Sequence, residues 1–304
     1  EIIVVNSGSE QNERAIVKEF QEKYPNIRYI ETDQRETVYA AWNRGIKAAT
    51  GKYITNANTD DRHRKDAFEI MVNTLKRRPE VDLVYADLIV SATENETFEN
   101  CTPAGYFRWL NWDRKELLKG KCFIGPQPMW RKRIHEQYGY FDDSFITSGD
   151  YEFWLRISQT SNFLHIPYLL GLYLKSPKSI EHLNRNRQRE ENEILLKTYR
   201  DAYQSGRIIR RHETGLIRLP AGFTNQEIRN SPRKPKTNIY VSVIVTASNQ
   251  MPYLTKFLDS IETCSSQKHE IILIQNHSRN TLNWFNQFAQ KHLNETVVKP
   301  KRPV

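Results

Sequence analysis

The sequence predicts an α/β fold in which helices flank a Rossmann-like mixed sheet. Short runs of apolar and β-branched residues, such as Ile2–Val5 and Val81–Val90, are typical of buried strands. Amphipathic helical patterns follow several of these runs. A polar cluster, Asn56–Asp61, comes directly after the apolar pair Tyr53-Ile54. Because ligands of open α/β sheets bind at the carboxyl ends of strands, this cluster predicts a site.

The helices and their ends follow from periodicity and from capping residues. Ser9 is placed to cap the first helix, and Gly51 and Pro79 stand where the second and third helices end. The predicted helices are Glu10–Tyr24, Glu36–Thr50, Arg64–Arg77 and Ile180–Gln204. Residues 91–105 are predicted to form an exposed loop.

Oxygen ligands are concentrated in the polar cluster. Asn58, Asp60 and Asp61 place amide and carboxylate oxygens at the end of a predicted strand. Hard divalent cations such as Mg²⁺ or Mn²⁺ prefer these ligands and also bridge to phosphates. The alternative is an Asn/Asp turn that faces only water. A second acidic site, about ninety residues further along the chain, favours the metal site.

The second acidic site lies at the start of a predicted helix. Phe153, Trp154 and Ile157 have the spacing of one apolar helix face, and Asp150 comes just before them. Asp150 has two compatible interpretations: an N-cap that accepts hydrogen bonds from backbone amides, or a general base that takes a proton from a hydroxyl. Capping would also hold the carboxylate still.

These motifs, in this order, resemble the inverting glycosyltransferases of family 2, which have the GT-A fold of nucleotide-diphospho-sugar transferases. Residues 1–9 are similar to the family's second strand and its turn, and residues 41–54 to the helix and strand before its metal motif. Asn58-Thr59-Asp60 stands where the family has its DxD motif. Residues 149–152 stand where it has an acidic pair that includes the catalytic base. The resemblance covers about residues 1–175.

The resemblance implies a role for each matching residue. Asp60 and Asp61 would bind Mg²⁺ or Mn²⁺, and Asp150 would be the catalytic base. The implied contacts with a nucleoside-diphosphate-sugar donor are Asn6, Asn43, Arg44, Asn58, Lys175 and Asn249. The implied acceptor contacts are Glu152, Trp109 and Trp112, with a structural role as the alternative for Glu152 and packing as the alternative for both Trp residues.

The implied reaction is transfer of a sugar from that donor to an acceptor hydroxyl, with inversion, in glycan or polysaccharide assembly. The acceptor would be a glycan or a lipid-linked molecule. One alternative is a non-catalytic module of the same fold that binds or scaffolds. Another is a sugar-nucleotide pyrophosphorylase, but residues 246–249 are not the Gly-rich basic loop that it needs. Residues 7–9 lack the GxGxxG of a dinucleotide-binding domain.

The sequence departs from the family pattern at several positions. Asn58 replaces the first acid of DxD, so Asp60 would make most of the metal contact. Asn6 and Ser7 stand in place of two acids near the nucleotide base, and an amide donates as well as accepts. Lys175 stands where the family often has a metal-assisting His, and it could bind a diphosphate oxygen as a point charge. Ser248 replaces a common Tyr that can stack on the base, and together with Asn58 and Asn6 it favours the non-catalytic alternative to some extent.

An internal repeat predicts the domain organisation. Glu1–Val5 recurs as Glu270–Ile274, an offset of 270 − 1 = 269 residues, which suits one large α/β unit per repeat. Residues 1–175 would be a GT-A core that lacks its first strand. Residues 176–239 would be a helical basic extension and linker, and residues 240–304 the opening of a second unit. We therefore expect the chain to be a piece of a longer tandem protein.

The missing strand leads to a structural prediction. A parallel sheet without its middle strand leaves backbone groups unpaired, at about 1–3 kcal/mol each. Val241–Ala247 resembles the family's first strand, so we expect it to run parallel to Ile2–Val5 and to bond the strand near residues 52–56. Asn249 would then lie near the donor. The alternative is a separate lobe formed by residues 241–304.

Composition agrees with an enzyme that acts in the cytoplasm. The net charge is +9, and the basic segment Arg207–Lys236 could attract an anionic membrane surface, a lipid diphosphate or nucleic acid, or be only a solvated linker. No nucleic-acid-binding module is recognisable. No apolar run of about 18 residues or signal-peptide pattern is present, so the expected location is cytoplasmic, with peripheral contact at the inner face of the membrane as a further expectation.

Several single residues complete the predictions. The three cysteines are too few and too scattered for a disulfide framework or a zinc site. His63 and His135 are flanked by basic residues and are expected at the surface or behind the site. Trp42 and Trp154 are expected in the core.

Overall fold

The structure is a computed structural model that describes residues 1–9, 12–177 and 179–209, together with three strand segments at 229–230, 241–246 and 269–275. The helices are α1 (Glu13–Lys23), α2 (Val38–Ala48), α3 (Ala67–Arg77), α4 (Arg114–Leu118), α5 (Ile134–Tyr138), α6 (Gly149–Ile157), α7 (Ile180–Leu183) and α8 (Arg185–Ser205). The strands are β1 (Ile2–Ser7), β2 (Ile27–Thr32), β3 (Tyr53–Asn58), β4 (Arg62–His63), β5 (Val81–Ser91), β6 (Pro103–Phe107), β7 (Met129–Arg131), β8 (Asn162–Leu174), β9 (Arg229–Asn230), β10 (Val241–Thr246) and β11 (His269–Gln275).

The strands form two mixed sheets. The first has the order β10-β11-β1-β2-β9, in which all neighbours are parallel except β9, and β10 also pairs with β1. The second has the order β3-β7-β5-β8-β4, with β6 paired to β5. In this sheet β5 and β8 are parallel, and β7 is antiparallel to both β3 and β5. Helices alternate with strands along the chain, so the α/β class predicted from the sequence is confirmed.

The element boundaries differ from the predictions where side chains choose other partners. The Ser9 hydroxyl donates to the Glu13 carboxylate (2.8 Å) instead of capping, and α1 begins only at Glu13. Thr37 caps α2, because its hydroxyl accepts from the Ala40 N–H (3.2 Å). The single helix predicted over 180–204 is divided at Asn184 into α7 and α8. The predicted strand at 81–90 is confirmed as β5, whereas part of the loop predicted at 91–105 forms β6.

Two strands from late in the chain, β10 and β11, lie beside β1. β10 runs parallel to β1 with Ile244 opposite Ile3, and β11 also runs parallel to β1 with Ile271 opposite Ile2. The predicted parallel pairing of residues 241–246 with Ile2–Val5 is thus confirmed. β10 lies beside β3, with Cα atoms within 8 Å, but among the described strands β3 forms a ladder only with β7, so the predicted ladder between 241–246 and β3 is not formed. The predicted extension over 176–239 includes α7, α8 and β9. Asn249 and residues 210–228 and 231–239 lie outside the described residues, and the division into domains stays a prediction.

Both faces of β1 are buried. Ile3 and Val5 belong to one hydrophobic cluster, and Ile2 and Val4 belong to the other. Successive residues of a strand point to opposite faces, so β1 separates the two clusters. Trp42 and Trp154 lie in the first cluster, which confirms their expected core positions. None of the helices in the described part of the chain is long and apolar enough to cross a lipid bilayer.

His63 and His135 were expected at the surface or behind the site, and their burial corrects the surface part of that prediction. His63 lies in β4 and packs on Phe68, with ring centroids 4.6 Å apart. His135 accepts a hydrogen bond from the Trp130 indole (2.9 Å) through Nε2, and its Nδ1 lies 3.0 Å from the Gly139 carbonyl oxygen. Burial lowers the pKa of each imidazole to about 3, so both are neutral. Basic neighbours in sequence do not determine which way a strand or helix residue faces.

Candidate active site

The acid cluster lies where β3 ends. The Asp61 carboxylate is buried and held from two sides: Oδ1 accepts from the Leu174 N–H (3.1 Å) and Oδ2 accepts from the Asn58 amide (3.0 Å). Leu174 is the last residue of β8. Asp61 therefore ties the carboxyl end of β3 to the carboxyl end of β8, and its orientation is fixed before any ligand binds.

The two carboxyl groups of the acid cluster are shielded from water to different degrees, because Asp61 is buried and Asp60 is half-buried. Burial raises the pKa of Asp60 above its ordinary value. It raises the pKa of Asp61 well above that value, and the neighbouring charge of Asp60 adds to the effect. Arg62 lies beside them and donates to the carbonyl oxygens of Thr59 (2.9 Å) and Asp61 (2.6 Å), which offsets part of this charge. A bound cation would stabilise both carboxylates in their ionised form.

The donor atoms of the cluster fit a hard divalent cation. Asp60 and Asp61 supply carboxylate oxygens, and Asn58 has an amide oxygen, all within four residues at a strand end. Mg²⁺ and Mn²⁺ prefer oxygen ligands and commonly keep some positions for water or phosphate. In the part of the chain that the structure describes, no group of three or more His, Cys, Asp or Glu side chains could hold a metal. A metal here would thus need further ligands from substrate or water.

Lys175 lies next to the acid cluster. Its N–H donates to the Ser91 carbonyl oxygen (2.8 Å), which joins the ends of β5 and β8, and its side chain is exposed. The preceding N–H, that of Leu174, donates to Asp61. The structure therefore brings Lys175 to the same strand ends as the carboxylates, although they are more than one hundred residues apart in sequence. Its contact with a diphosphate stays a prediction.

Asp150 lies in the first turn of α6 and is half-buried. Its Oδ1 accepts hydrogen bonds from the Tyr39 hydroxyl (3.2 Å) and from the Tyr151 N–H (2.8 Å). Ser148 occupies the N-cap position of α6. Asp150 is therefore a residue of the first turn and not the N-cap. A Cβ atom at Gly149 would come within 2.7 Å of the Tyr39 ring, so only glycine allows this close approach.

Asp150 and the acid cluster both lie where ligand sites of α/β sheets occur. Tyr39 stands in the first turn of α2, the helix that follows β2, so Asp150 is placed near the carboxyl end of a parallel strand. The acid cluster lies at the carboxyl ends of β3 and β8. This placement at strand ends is the arrangement expected of a ligand site in this class of fold.

Two of the predicted donor contacts are buried and bonded within the protein. Asn6, at the end of β1, donates to the Tyr29 hydroxyl (2.8 Å) and accepts from the Ser9 N–H (3.0 Å). Asn43 in α2 donates to the Phe141 carbonyl oxygen (2.8 Å) and accepts from the Phe141 N–H (2.9 Å). These contacts order the turn after β1 and the loop before α6. Direct contact of either amide with a donor stays a prediction.

Arg44 forms an ion pair beside the turn after β1. Its guanidinium bonds both carboxylate oxygens of Glu36, with Nε 2.6 Å from Oε2, and this contact raises the pKa of Arg44. The Glu36 N–H in turn donates to the Ser7 hydroxyl (2.7 Å). Arg44 thus supports the strand end that carries Asn6 and Ser7, and its contact with a donor stays a prediction.

Comparison with known proteins identifies the first part of the chain. Residues 1–139 match the family model described as Glycosyl transferase family 2. This segment is a family 2 glycosyltransferase domain. Its strands lie in mixed sheets flanked by helices. The acid cluster lies inside the matched segment, whereas Asp150 lies 150 − 139 = 11 residues beyond its end.

Several named relatives are similar to this chain at low sequence identity. An uncharacterized glycosyltransferase of Methanocaldococcus jannaschii is 25% identical over 201 residues, which cover 65% of this chain and 68% of the relative. One of Bacillus subtilis is 26% identical over 176 residues, covering 57% and 62%. A solved structure, a mannosyltransferase from Pyrobaculum calidifontis in complex with GDP-Man and Mn²⁺, is 20% identical with a TM-score of 0.49, covering 66% of this chain and 55% of that one. The chain therefore spans less than two thirds of the last two proteins.

Glu152, a predicted acceptor contact, is fully buried. Its carboxylate forms an ion pair with Arg156 (2.7 Å) and accepts from the Tyr199 hydroxyl (2.5 Å). Neither side chain of the ion pair has exposed surface. Because α6 turns about 100° per residue, Glu152 faces away from Asp150. The geometry favours the structural alternative for Glu152.

The two Trp residues predicted to contact an acceptor are partly buried against the core of the family 2 domain. Trp112 packs on Phe163, with ring centroids 4.2 Å apart. Trp109 stacks on Phe107, with ring centroids 4.7 Å apart, and its backbone N–H donates to the buried Asp87 carboxylate (3.0 Å). Both have the packing role given as their alternative, and the acceptor contact stays a prediction.

Two further residues of the family 2 domain were not found by sequence reasoning. Tyr39 contacts Asp150 across 111 residues of sequence, and nothing in its local pattern distinguishes it from a core tyrosine. Arg62 is buried beside the acid cluster. A signal did exist for Arg62, because a basic residue directly after Asp60-Asp61 is well placed to balance their charge.

Proposed function

We propose that this chain transfers a sugar from a nucleoside-diphosphate-sugar donor to an acceptor hydroxyl, with inversion and with the help of Mg²⁺ or Mn²⁺. The observation that carries the proposal is the carboxylate pair at the end of β3, the buried Asp61 and the half-buried Asp60, inside a family 2 glycosyltransferase domain. A glycan or lipid-linked acceptor, and a cytoplasmic location with peripheral membrane contact, remain predictions from the sequence.

The acid cluster would hold the donor's diphosphate through a metal. Asp60 would be the direct ligand because it is less buried than Asp61, which is bonded to Leu174 and Asn58. A divalent ion bound there would supply charge neutralisation for the leaving diphosphate. Lys175 would add a positive charge from the end of β8. The metal and Lys175 would thus place positive charge beside the diphosphate that leaves.

Asp150 would act as the general base. It would take the proton from the acceptor hydroxyl while that oxygen forms a bond to the anomeric carbon and the carbon–diphosphate bond breaks. A single displacement of this kind inverts the anomeric centre. The Tyr39 hydroxyl holds the Asp150 carboxylate in one orientation. Tyr39 stays protonated as a donor, since burial and then the Asp150 charge raise its pKa well above the ordinary value.

Two departures from the family pattern support a non-catalytic module as the second candidate function. Asn6 replaces an acid of the family pattern, and its amide is bonded to Tyr29 and Ser9 within the protein. Asn58 replaces the first acid of DxD and donates to Asp61. A binding or scaffolding module would retain the fold and these internal bonds without turning over a donor.

The first experiment tests the metal site. We expect Asp60→Asn to abolish Mn²⁺-dependent binding of UDP or GDP, because it removes the least buried carboxylate of the cluster. Isothermal titration calorimetry with and without Mn²⁺ measures this. Asp66→Asn is the matched control, since Asp66 is a nearby acid paired with Arg64 outside the cluster. Unchanged nucleotide affinity of Asp60→Asn in Mn²⁺ would contradict the assignment.

The second experiment tests the base. Asp150→Asn should lower sugar transfer by at least about a hundredfold, the usual scale for loss of a general base, while UDP or GDP binding stays nearly unchanged. Release of nucleoside diphosphate from UDP-glucose, UDP-N-acetylglucosamine and GDP-mannose measures turnover. Asp201→Asn, an exposed acid on α8, is the control. Full activity of Asp150→Asn would assign the base to another residue.

A further inference from the structure

A buried carboxylate on α8 holds the loop that leads into α6. Glu191 has no exposed surface. Its Oε2 accepts from the N–H groups of Thr147 (3.0 Å) and Ser148 (2.9 Å) and from the Thr147 hydroxyl (2.7 Å). Its Oε1 accepts from the Ile146 N–H (3.0 Å) and from Arg187 Nε (3.0 Å). One side chain therefore satisfies three consecutive backbone amides.

The position of these amides connects Glu191 to Asp150. Residues 146–148 come directly before Gly149 and Asp150, and Ser148, at the N-cap position, makes no capping bond with its own side chain. Glu191 replaces such a cap from 43 residues away in sequence. Hydrogen bonds to an ionised carboxylate are short and strong, and a buried one is costly to leave unpaired. Glu191 thus determines the direction in which the chain enters α6.

α8 contacts α6 at a second point. Tyr199 lies eight residues after Glu191, about two helical turns, and its hydroxyl donates to Glu152 in the first turn of α6 (2.5 Å). Both contacts come from the same buried face of α8, which also includes Leu195. α8 lies outside the segment that matches the family model, which ends at residue 139. An element beyond that segment therefore supports the helix that carries Asp150.

We propose that Glu191 is a positioning residue for the general base. By bonding the amides of 146–148 it fixes the start of α6, and with it the place of the Asp150 carboxylate relative to an acceptor hydroxyl. This inference rests on the proposed function. Small displacements of a catalytic group can cost up to about a hundredfold in rate, so loss of Glu191 lowers turnover without removing a group that touches substrate.

The test compares Glu191→Gln with Glu190→Gln. Gln has almost the shape of Glu, but its NH₂ group cannot accept the hydrogen bonds that one of the carboxylate oxygens now accepts. Glu190 is an exposed acid on the same helix, with 66% of its side chain accessible and only a 3.7 Å ion pair with Arg187, so its variant makes the same charge change without touching the amides of 146–148. Nucleoside-diphosphate release gives kcat, and UDP or GDP titration in Mn²⁺ gives donor-site affinity. Hydrogen exchange reports on the amides of 146–148.

We expect Glu191→Gln to lower kcat by about tenfold or more, with unchanged UDP or GDP affinity and faster exchange at 146–148, while Glu190→Gln changes none of these. If kcat and nucleotide affinity fall in the same proportion, Glu191 only stabilises the fold and the proposal is wrong. Unchanged kcat beside faster exchange would also overturn it. A wild-type protein that turns over no donor would instead contradict the proposed function.

A second pair of variants tests the same proposal if Glu191→Gln does not fold. Thr147→Val removes the hydroxyl that donates to Glu191 at 2.7 Å but keeps the backbone donors, and Thr147→Ser restores a hydroxyl. We expect kcat to fall in Thr147→Val and to recover in Thr147→Ser, with equal nucleotide affinity in both. Equal kcat in the two variants would count against a positioning role for this contact.

Discussion

The Asp61 carboxylate is held by two hydrogen bonds, from the Leu174 N–H and the Asn58 amide, while Asp60 beside it is only half-buried. The two neighbours therefore have different tasks. Asp61 ties the ends of two strands together, and Asp60, the more exposed of the two, is the residue that we propose as the metal ligand. The same principle applies to His135, whose two ring nitrogens contact Trp130 and Gly139 within the core. At this scale the partners and the burial of a side chain determine its chemistry.

Acid should destabilise the protein through its buried histidines. His135 has a pKa lowered by burial from 6.5 to about 3, so the unfolded state binds the proton first as the pH falls below 6.5. The neutral His135 makes its full contribution to stability above pH 6.5, the unfolded pKa. By pH 5, protonation of this group in the unfolded state should lower the free energy of unfolding by about 2 kcal/mol. Urea unfolding at pH 7, 6 and 5 measures it. His135→Gln should show a shallower pH slope than the wild type, and an identical slope would contradict this account.

α6 is the element on which the proposed site depends, and it is fixed from both sides. On one side the Tyr39 ring of α2 lies against Gly149, and its hydroxyl reaches Asp150. On the other side the ion pair of Glu152 and Arg156 lies buried against α8. Since a buried ion pair is poor evidence of stability in itself, its clearer effect is to fix the rotation of α6. Asp150 then points away from the ion pair.

Gly149→Ala should reveal how tightly α2 and α6 approach. Ala normally stabilises a helix relative to Gly by about 1 kcal/mol. Here the added methyl group would lie 2.7 Å from the Tyr39 ring, and such overpacking costs about 1–3 kcal/mol, so we expect net destabilisation and weaker turnover. Gly105→Ala is the control, because nothing lies within 4 Å of its Cβ position. Thermal unfolding of both variants measures the difference, and a more stable Gly149→Ala would contradict the contact.

The sheet around β1 depends on two strands, β10 and β11, that come late in the chain. β1 is buried on both faces, with β2 as one parallel neighbour and β10 and β11 as the others. Without these late strands the backbone groups along one edge of β1 would lack partners. We propose that residues 240–304 complete the sheet of the first unit in this way. The pairing of Ile3 with Ile244 supports that proposal.

Truncation tests the role of the late strands. A chain that ends at residue 239 loses β10 and β11, so we expect its free energy of unfolding to fall by several kcal/mol, at about 1–3 kcal/mol for each buried backbone group left unpaired. A chain that ends at residue 275 keeps both strands and is the control. Urea unfolding of the three lengths measures this. Equal stability of the 239-residue chain and the full chain would show that residues 1–209 are stable without the late strands.

Local patterns in the sequence were sufficient for much of this description. The apolar run at 81–90, the acids directly after β3 and the position of Asp150 at a helix start are all contained within a few neighbouring residues. The resemblance to family 2 rested on such motifs in order, and the match over residues 1–139 agrees with it. The resemblance of Val241–Ala247 to the family's first strand predicted that it would run parallel to β1, and residues 241–246 do so. Periodicity and short motifs express local backbone preferences, which the sequence states directly.

The tertiary structure alone decided which distant residues meet. The Tyr39–Asp150 contact spans 111 residues and the Glu191–Ser148 contact spans 43, and no local pattern signals either one. Burial of His135 was likewise invisible, because its basic neighbours suggested the surface. A period identifies a helix or a strand and its apolar face, but it does not specify the partner on which that face packs. The partners set the pKa values and orientations of the site, so its chemistry depends on contacts that only the folded chain makes.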